Sequence, residues 1–144
     1  MQNETSFLRE QLKARPWWMN ILFVWCILLA LGVPIELLTR PVSEDVEVWF
    51  GIEFMGWAAK AGGLLHAIIF AVGTWGFWKM RPWMWPWAAL YVAQVALSHL
   101  VWSELSPHGR GWPIGLLQTA GISIIVVLLW RAKPLFRRDE VSAS

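Results

Sequence analysis

The chain has 144 residues, 57% hydrophobic and 15% charged, a balance too apolar for a water-soluble domain. Its formal charge is +2, and the basic residues flank long apolar runs instead of forming one patch, so lipid headgroups and not nucleic acid are their expected partners. The single cysteine, Cys26, lies inside an apolar run, which excludes an intramolecular disulfide and a thiol pair for metal or redox work.

Residues 1–16 read as a polar leader with an amphipathic turn at Phe7, Leu8 and Leu12, and Pro16, Trp17 and Trp18 mark arrival at the membrane interface. A basic segment before an apolar run is also the pattern of a cleaved signal peptide, but Glu4, Glu10 and the length of the run argue against cleavage. The first span is expected over 17–38, with a kink or early stop near Val33 caused by Pro34. Residues 39–51, with Pro41 and the acidic stretch SEDVE, form the first outer loop. The stretch from Ile52 to Trp78 is longer than one span needs, so a short interfacial helix over 52–60 is expected before a second span over 61–78. The loop KMRPWMWPW makes spans two and three antiparallel neighbours. A third span follows over 86–103, a turn-rich loop SELSPHGRG, and a fourth span over 112–131. The fold class is therefore all-α integral membrane, a four-helix transmembrane bundle in one domain, 1–144.

Nine of the twelve Lys and Arg residues fall in three segments: Arg9, Lys13 and Arg15, then Lys79 and Arg81, then Arg131, Lys133, Arg137 and Arg138. Basic loops stay cytoplasmic, so both termini and the middle loop are expected inside. Glu36, Glu44, Asp45, Glu47, Glu53 and Glu104 then lie on the outer side. This is the pattern of a bacterial-type inner-membrane protein. Ala59, Gly63, Ala67 and Ala71 recur every four residues, a smooth stripe that lets helices approach closely, and Ala89, Ala93, Gly111 and Gly115 are its expected counterparts.

His66 and His99 are expected at one depth on neighbouring helices, about 6–8 Å below the outer boundary at 1.5 Å per residue. Two imidazoles so placed are candidate axial ligands for a b-type haem, or ligands for a pigment magnesium or a transition metal. Glu36 and Glu53 converge on the same outer third, and charges near apolar lipid often mark function. Glu53 and Lys60 are seven apart and would share a helical face. Glu36, Glu53, His66 and His99 are thus candidate acid and base groups. Gln94 and Gln118 are candidate hydrogen-bond partners for a quinone or sterol oxygen. Of thirteen tryptophans, ten suit an interfacial belt, while Trp25, Trp57 and Trp75 are left over, with Trp57 and Trp75 candidate ring-stacking residues.

No phosphate loop, paired CxxC, HExxH or nucleophile-elbow serine occurs. The first expectation for function is a pocket in the outer leaflet that binds, and potentially processes, an isoprenoid, sterol or quinone. The second is a haem or pigment carrier using His66 and His99. The third is an accessory subunit that self-associates or joins a larger membrane complex through its glycine and alanine faces.

Overall fold

The computed structural model describes residues 12, 13 and 15–137. Phe7, Leu8, Glu4, Glu10, Arg9 and Arg138, which enter the leader, signal and charge arguments, lie outside the described residues.

Four long helices form the body: α1 (Trp17–Thr39), α2 (Trp57–Lys79), α3 (Met84–Leu105) and α4 (Trp112–Arg131). Among the described residues, α1, α2 and α4 are long and apolar enough to cross a membrane. The third has the length, but Gln94, Ser98, His99, Ser103 and Glu104 dilute its apolar run. The helices pair as α1 with α2 and α3 with α4, while α2 and α3 barely touch. The short turn over 80–83 joins α2 to α3 without packing them together, contrary to the close neighbours that the loop length suggests.

Two local expectations are corrected. The expected interfacial helix over 52–60 is instead half of an antiparallel hairpin, β1 (Val46–Trp49) with β2 (Ile52–Met55), and α2 begins at Trp57. The stretch VEVWFGIEFM carries β-branched and aromatic residues on both sides of a two-residue turn, where Phe50 (φ 53°) and Gly51 (φ 82°) both take positive φ. That is the turn whose twist matches paired strands. A class described only as all-α therefore omits this two-stranded sheet. The second correction concerns the early stop expected at Pro34: α1 runs through it to Thr39. The last turn keeps its carbonyls satisfied, because Lys60 Nζ donates to Leu37 O (2.6 Å) and Arg40 O (2.7 Å), and Thr39 Oγ1 donates to Ile35 O (2.8 Å).

Lys60 also pairs with Asp45 at 3.0 Å, with side chains 14% and 11% exposed. It is a cap and strut between α1, the hairpin and α2. Removing one member of a buried pair costs about 3–5 kcal/mol, and Arg40, 3.8 Å from Asp45, offsets part of this. Lys60→Met is therefore expected to cost about 3 kcal/mol in detergent unfolding. Lys60→Met with Asp45→Asn should recover part of the loss, whereas equal stability of wild type and Lys60→Met would remove the strut.

At the opposite end, Met19, Phe23, Phe77, Met84, Leu129 and Phe136 form a buried cluster that draws all four helices together. Gly76 is buried against Met84 and Trp83. Trp85, preceding Pro86, leaves helical geometry (φ −98°, ψ 125°), as a residue before proline tends to. Basic residues lie over aromatic rings at this end: Arg81 over Trp75 at 4.9 Å and Lys133 over Trp85 at 4.1 Å. In the other pair, Gly115 of α4 meets Ser103 and Leu100 of α3, and Thr119 Oγ1 donates to Ala96 O (2.9 Å).

Candidate functional site

Because the helix pairs meet at the buried cluster and are bridged at the far end by the hairpin, a cleft remains between α2 and α3. Its cavity measures about 390 Å³ and is partly open, lined by Val48 of the hairpin, His66 and Phe70 of α2, and Tyr91, Gln94, Val95, Ser98, His99 and Trp102 of α3.

The hairpin builds one end of the cleft from both of its faces. Glu47 and Trp49 alternate with Val48, so they share a face, and that face lies on α2. Glycines make the approach possible: a Cβ on Gly62 would lie 2.7 Å from Trp49 Nε1, and one on Gly63 would lie 2.8 Å from Leu37 Cδ2 and 3.3 Å from Glu47 Oε2. The small-residue stripe thus receives α1 and the hairpin instead of α3, with Ala59 and Ala67 buried along it and Ala71 exposed.

Glu47 Oε1 lies 2.9 Å from His66 Nδ1. The imidazole also stacks on Trp49, with centroids 4.0 Å apart and planes at 13°, and packs against Phe70 (5.8 Å) and edge-on to Tyr91 (6.2 Å). A carboxylate at Nδ1 retains the proton there, so a neutral His66 presents Nε2 as an acceptor. On α3, Gln94 Nε2 donates to Ser98 Oγ at 2.8 Å, while Gln94 Oε1 is buried and accepts no hydrogen bond.

On the other side of the hairpin, Glu53 Oε1 accepts from Ser106 Oγ (2.6 Å) and Trp102 Nε1 (2.7 Å). These bonds, led by that from Ser106, hold the Glu53 carboxyl below its ordinary value of 4.5. A depressed folded-state value contributes stability above the ordinary pKa and loses it as pH falls through the folded one. Acidification below the ordinary carboxylate range should therefore loosen the hairpin from α3 and change Trp102 fluorescence. Glu53→Gln should flatten that change, and an unchanged transition in the variant would contradict the assignment.

Of the residues singled out from sequence, the cleft brings together His66, His99 and Gln94. Glu53 stands behind its rim, bonded to Trp102 and not facing Lys60 along a helix, since it lies on a strand. Glu36 is exposed and 4.0 Å from Arg40. Trp57 and Trp25 are exposed, Trp75 stacks on Trp83 near the α2–α3 turn, and Gln118 is exposed on α4. None of these five lines the cleft. The sequence reading missed Glu47, Trp49, Tyr91 and Trp102 as site residues. The alternation of Glu47, Trp49 and the positive-φ turn was the available signal.

Among the described residues, no cluster of three or more His, Cys, Asp or Glu could hold a metal ion. The chain matches no known family model, curated protein or solved structure.

Proposed function

We propose that the protein binds a small lipophilic molecule of isoprenoid, sterol or quinone type, which enters sideways between α2 and α3. The observation that carries this reading is the cleft itself: an apolar space of about 390 Å³ with a few polar atoms gathered on its walls, between two helix pairs of a membrane protein. The Glu47–His66 pair is the group able to exchange a proton with the bound molecule. Both termini face the cytoplasm of a bacterial-type inner membrane in this reading, which rests on the basic residues at the Met19–Phe136 end and the acidic ones around the hairpin.

A second reading is a b-type haem. It is favoured by one observation: His66 and His99 line the same cavity, and His66 is held through Nδ1 by a carboxylate, as ligating histidines commonly are. Self-association or assembly with larger membrane partners would fall to the exposed apolar faces of α1 and α4, because Gly63 and Gly115 are filled from within the chain.

Protein purified in mild detergent separates these readings by absorption and by mass spectrometry of extracted lipid. One dominant co-purified lipid in a colourless sample is the expected result. A Soret band lost in His66→Ala and His99→Ala would replace it with the haem reading.

A further inference from the structure

The hairpin is rooted in one helix pair and reaches across to the other. It is spliced between α1 and α2, Gly56 N donates to Asp45 O across its base (3.1 Å), and Asp45 is held by Lys60 of α2 (3.0 Å). One of its faces lies on the same pair, with Glu47 on His66 and Trp49 close to Gly62. The opposite face, where Glu53 pairs with Val48, turns to α3. The ties on that side are fewer: Gly51 seats against Val101 and the Trp102 backbone, and Glu53 Oε1 accepts from Trp102 Nε1 and Ser106 Oγ. At the far end the Met19–Phe136 cluster joins all four helices. Between the two ends the walls of the cleft meet at Tyr91, edge-on to Phe70 (6.0 Å) and His66 (6.2 Å), ring contacts in place of a packed helix interface.

We propose that the hairpin is a latch: when the bonds from α3 to Glu53 release, the α1–α2 pair and the α3–α4 pair swing apart about the Met19–Phe136 cluster, and the cleft widens between α2 and α3. Hinged opening needs packed units that stay rigid, one continuous joint and a separable contact far from it. The two helix pairs, the cluster and the Glu53 bonds are these three parts. The hairpin travels with α1 and α2, because its root and its Glu47 face are tied there. The motion belongs to the fold and holds whatever the cleft binds.

The test is double electron–electron resonance on the purified protein in lipid nanodiscs, in a Cys26→Ala background. Spin labels on Leu64→Cys and Leu97→Cys, exposed positions of α2 and α3, report the hairpin end. Labels on Lys79→Cys and Trp87→Cys, also exposed, report the cluster end. The latch is released from either side, by Glu53→Leu or by Trp102→Phe with Ser106→Ala. The expected result is that both releases lengthen the Leu64–Leu97 distance by about 4 Å or more, one carbon contact distance, while the Lys79–Trp87 distance is unchanged. An unchanged Leu64–Leu97 distance in both would overturn the latch. So would loss of a defined distance at both ends, which would make the hairpin a strut of the whole fold.

Discussion

Gly51→Ala is expected to destabilise the protein by about 3 kcal/mol or more, far beyond an ordinary glycine replacement. Two causes add. Gly51 sits at φ 82°, where a side chain is strained, and a Cβ there would collide with Val101 Cβ and Cγ1 on α3 and come within 2.9 Å of the Trp102 backbone nitrogen. The collision is with a β-branched side chain and main chain, which have little room to give. Relief requires the hairpin to lift from α3, which also breaks the bonds from Trp102 and Ser106 to Glu53. Gly32 and Gly121 provide internal controls, since nothing lies within 4 Å of an added Cβ at either. Alanine at those two helical positions should be neutral or stabilising by up to about 1 kcal/mol. Detergent unfolding of the three variants checks the ranking, and a Gly51→Ala protein as stable as the controls would mean that the hairpin does not rest on α3.

Glu47→Leu is expected to weaken ligand binding while the hairpin stays attached. The hairpin retains its attachment through Glu53, and the apolar part of the side chain is preserved. What disappears is the acceptor at His66 Nδ1, a charge-assisted bond of the kind worth about 1.5–3 kcal/mol. His66 then has no fixed tautomer, and its ring is held by stacking alone. Ligand affinity should fall about tenfold or more. The 15N resonances of the His66 ring should change from one protonated at Nδ1 to an exchanging mixture. Unchanged resonances with unchanged binding would show that Glu47 does not orient the imidazole. His99→Ala serves for comparison: it lines the same cavity but is exposed, so a smaller loss is expected.

Helix number and order were legible because they follow from long-range composition. Apolar runs bounded by Trp, Pro and basic residues need no tertiary partner to declare themselves, and α4 is a helix over Trp112–Arg131. The hairpin was less legible because its residues also suit an interface: apolar and aromatic side chains in VEVWFGIEFM read equally as membrane-surface helix. Only the turn, Phe50–Gly51, distinguishes the two, and Phe at a positive-φ position is not a common turn residue. For the cleft, His66 and His99 could be brought together from depth alone, since antiparallel helices bring equal depths together. Glu47 could not, because its approach to His66 depends on strand register and on the space left by Gly62 and Gly63. Glu36 and Lys60 were drawn in by the cost of charge in lipid, yet Glu36 is exposed beside Arg40 and Lys60 donates to the last carbonyls of α1.

Photolabelling tests the central claim most directly. An isoprenoid alcohol with a diazirine in its chain would be activated in vesicles containing the protein, and the adducts mapped by peptide mass spectrometry. Labels concentrated on Phe70, Tyr91 and Val95, and competed by excess farnesol, are the predicted result. Labels spread along the exposed face of α1, at Ile21, Leu28 and Ile35, with no competition, would contradict a binding cleft between α2 and α3.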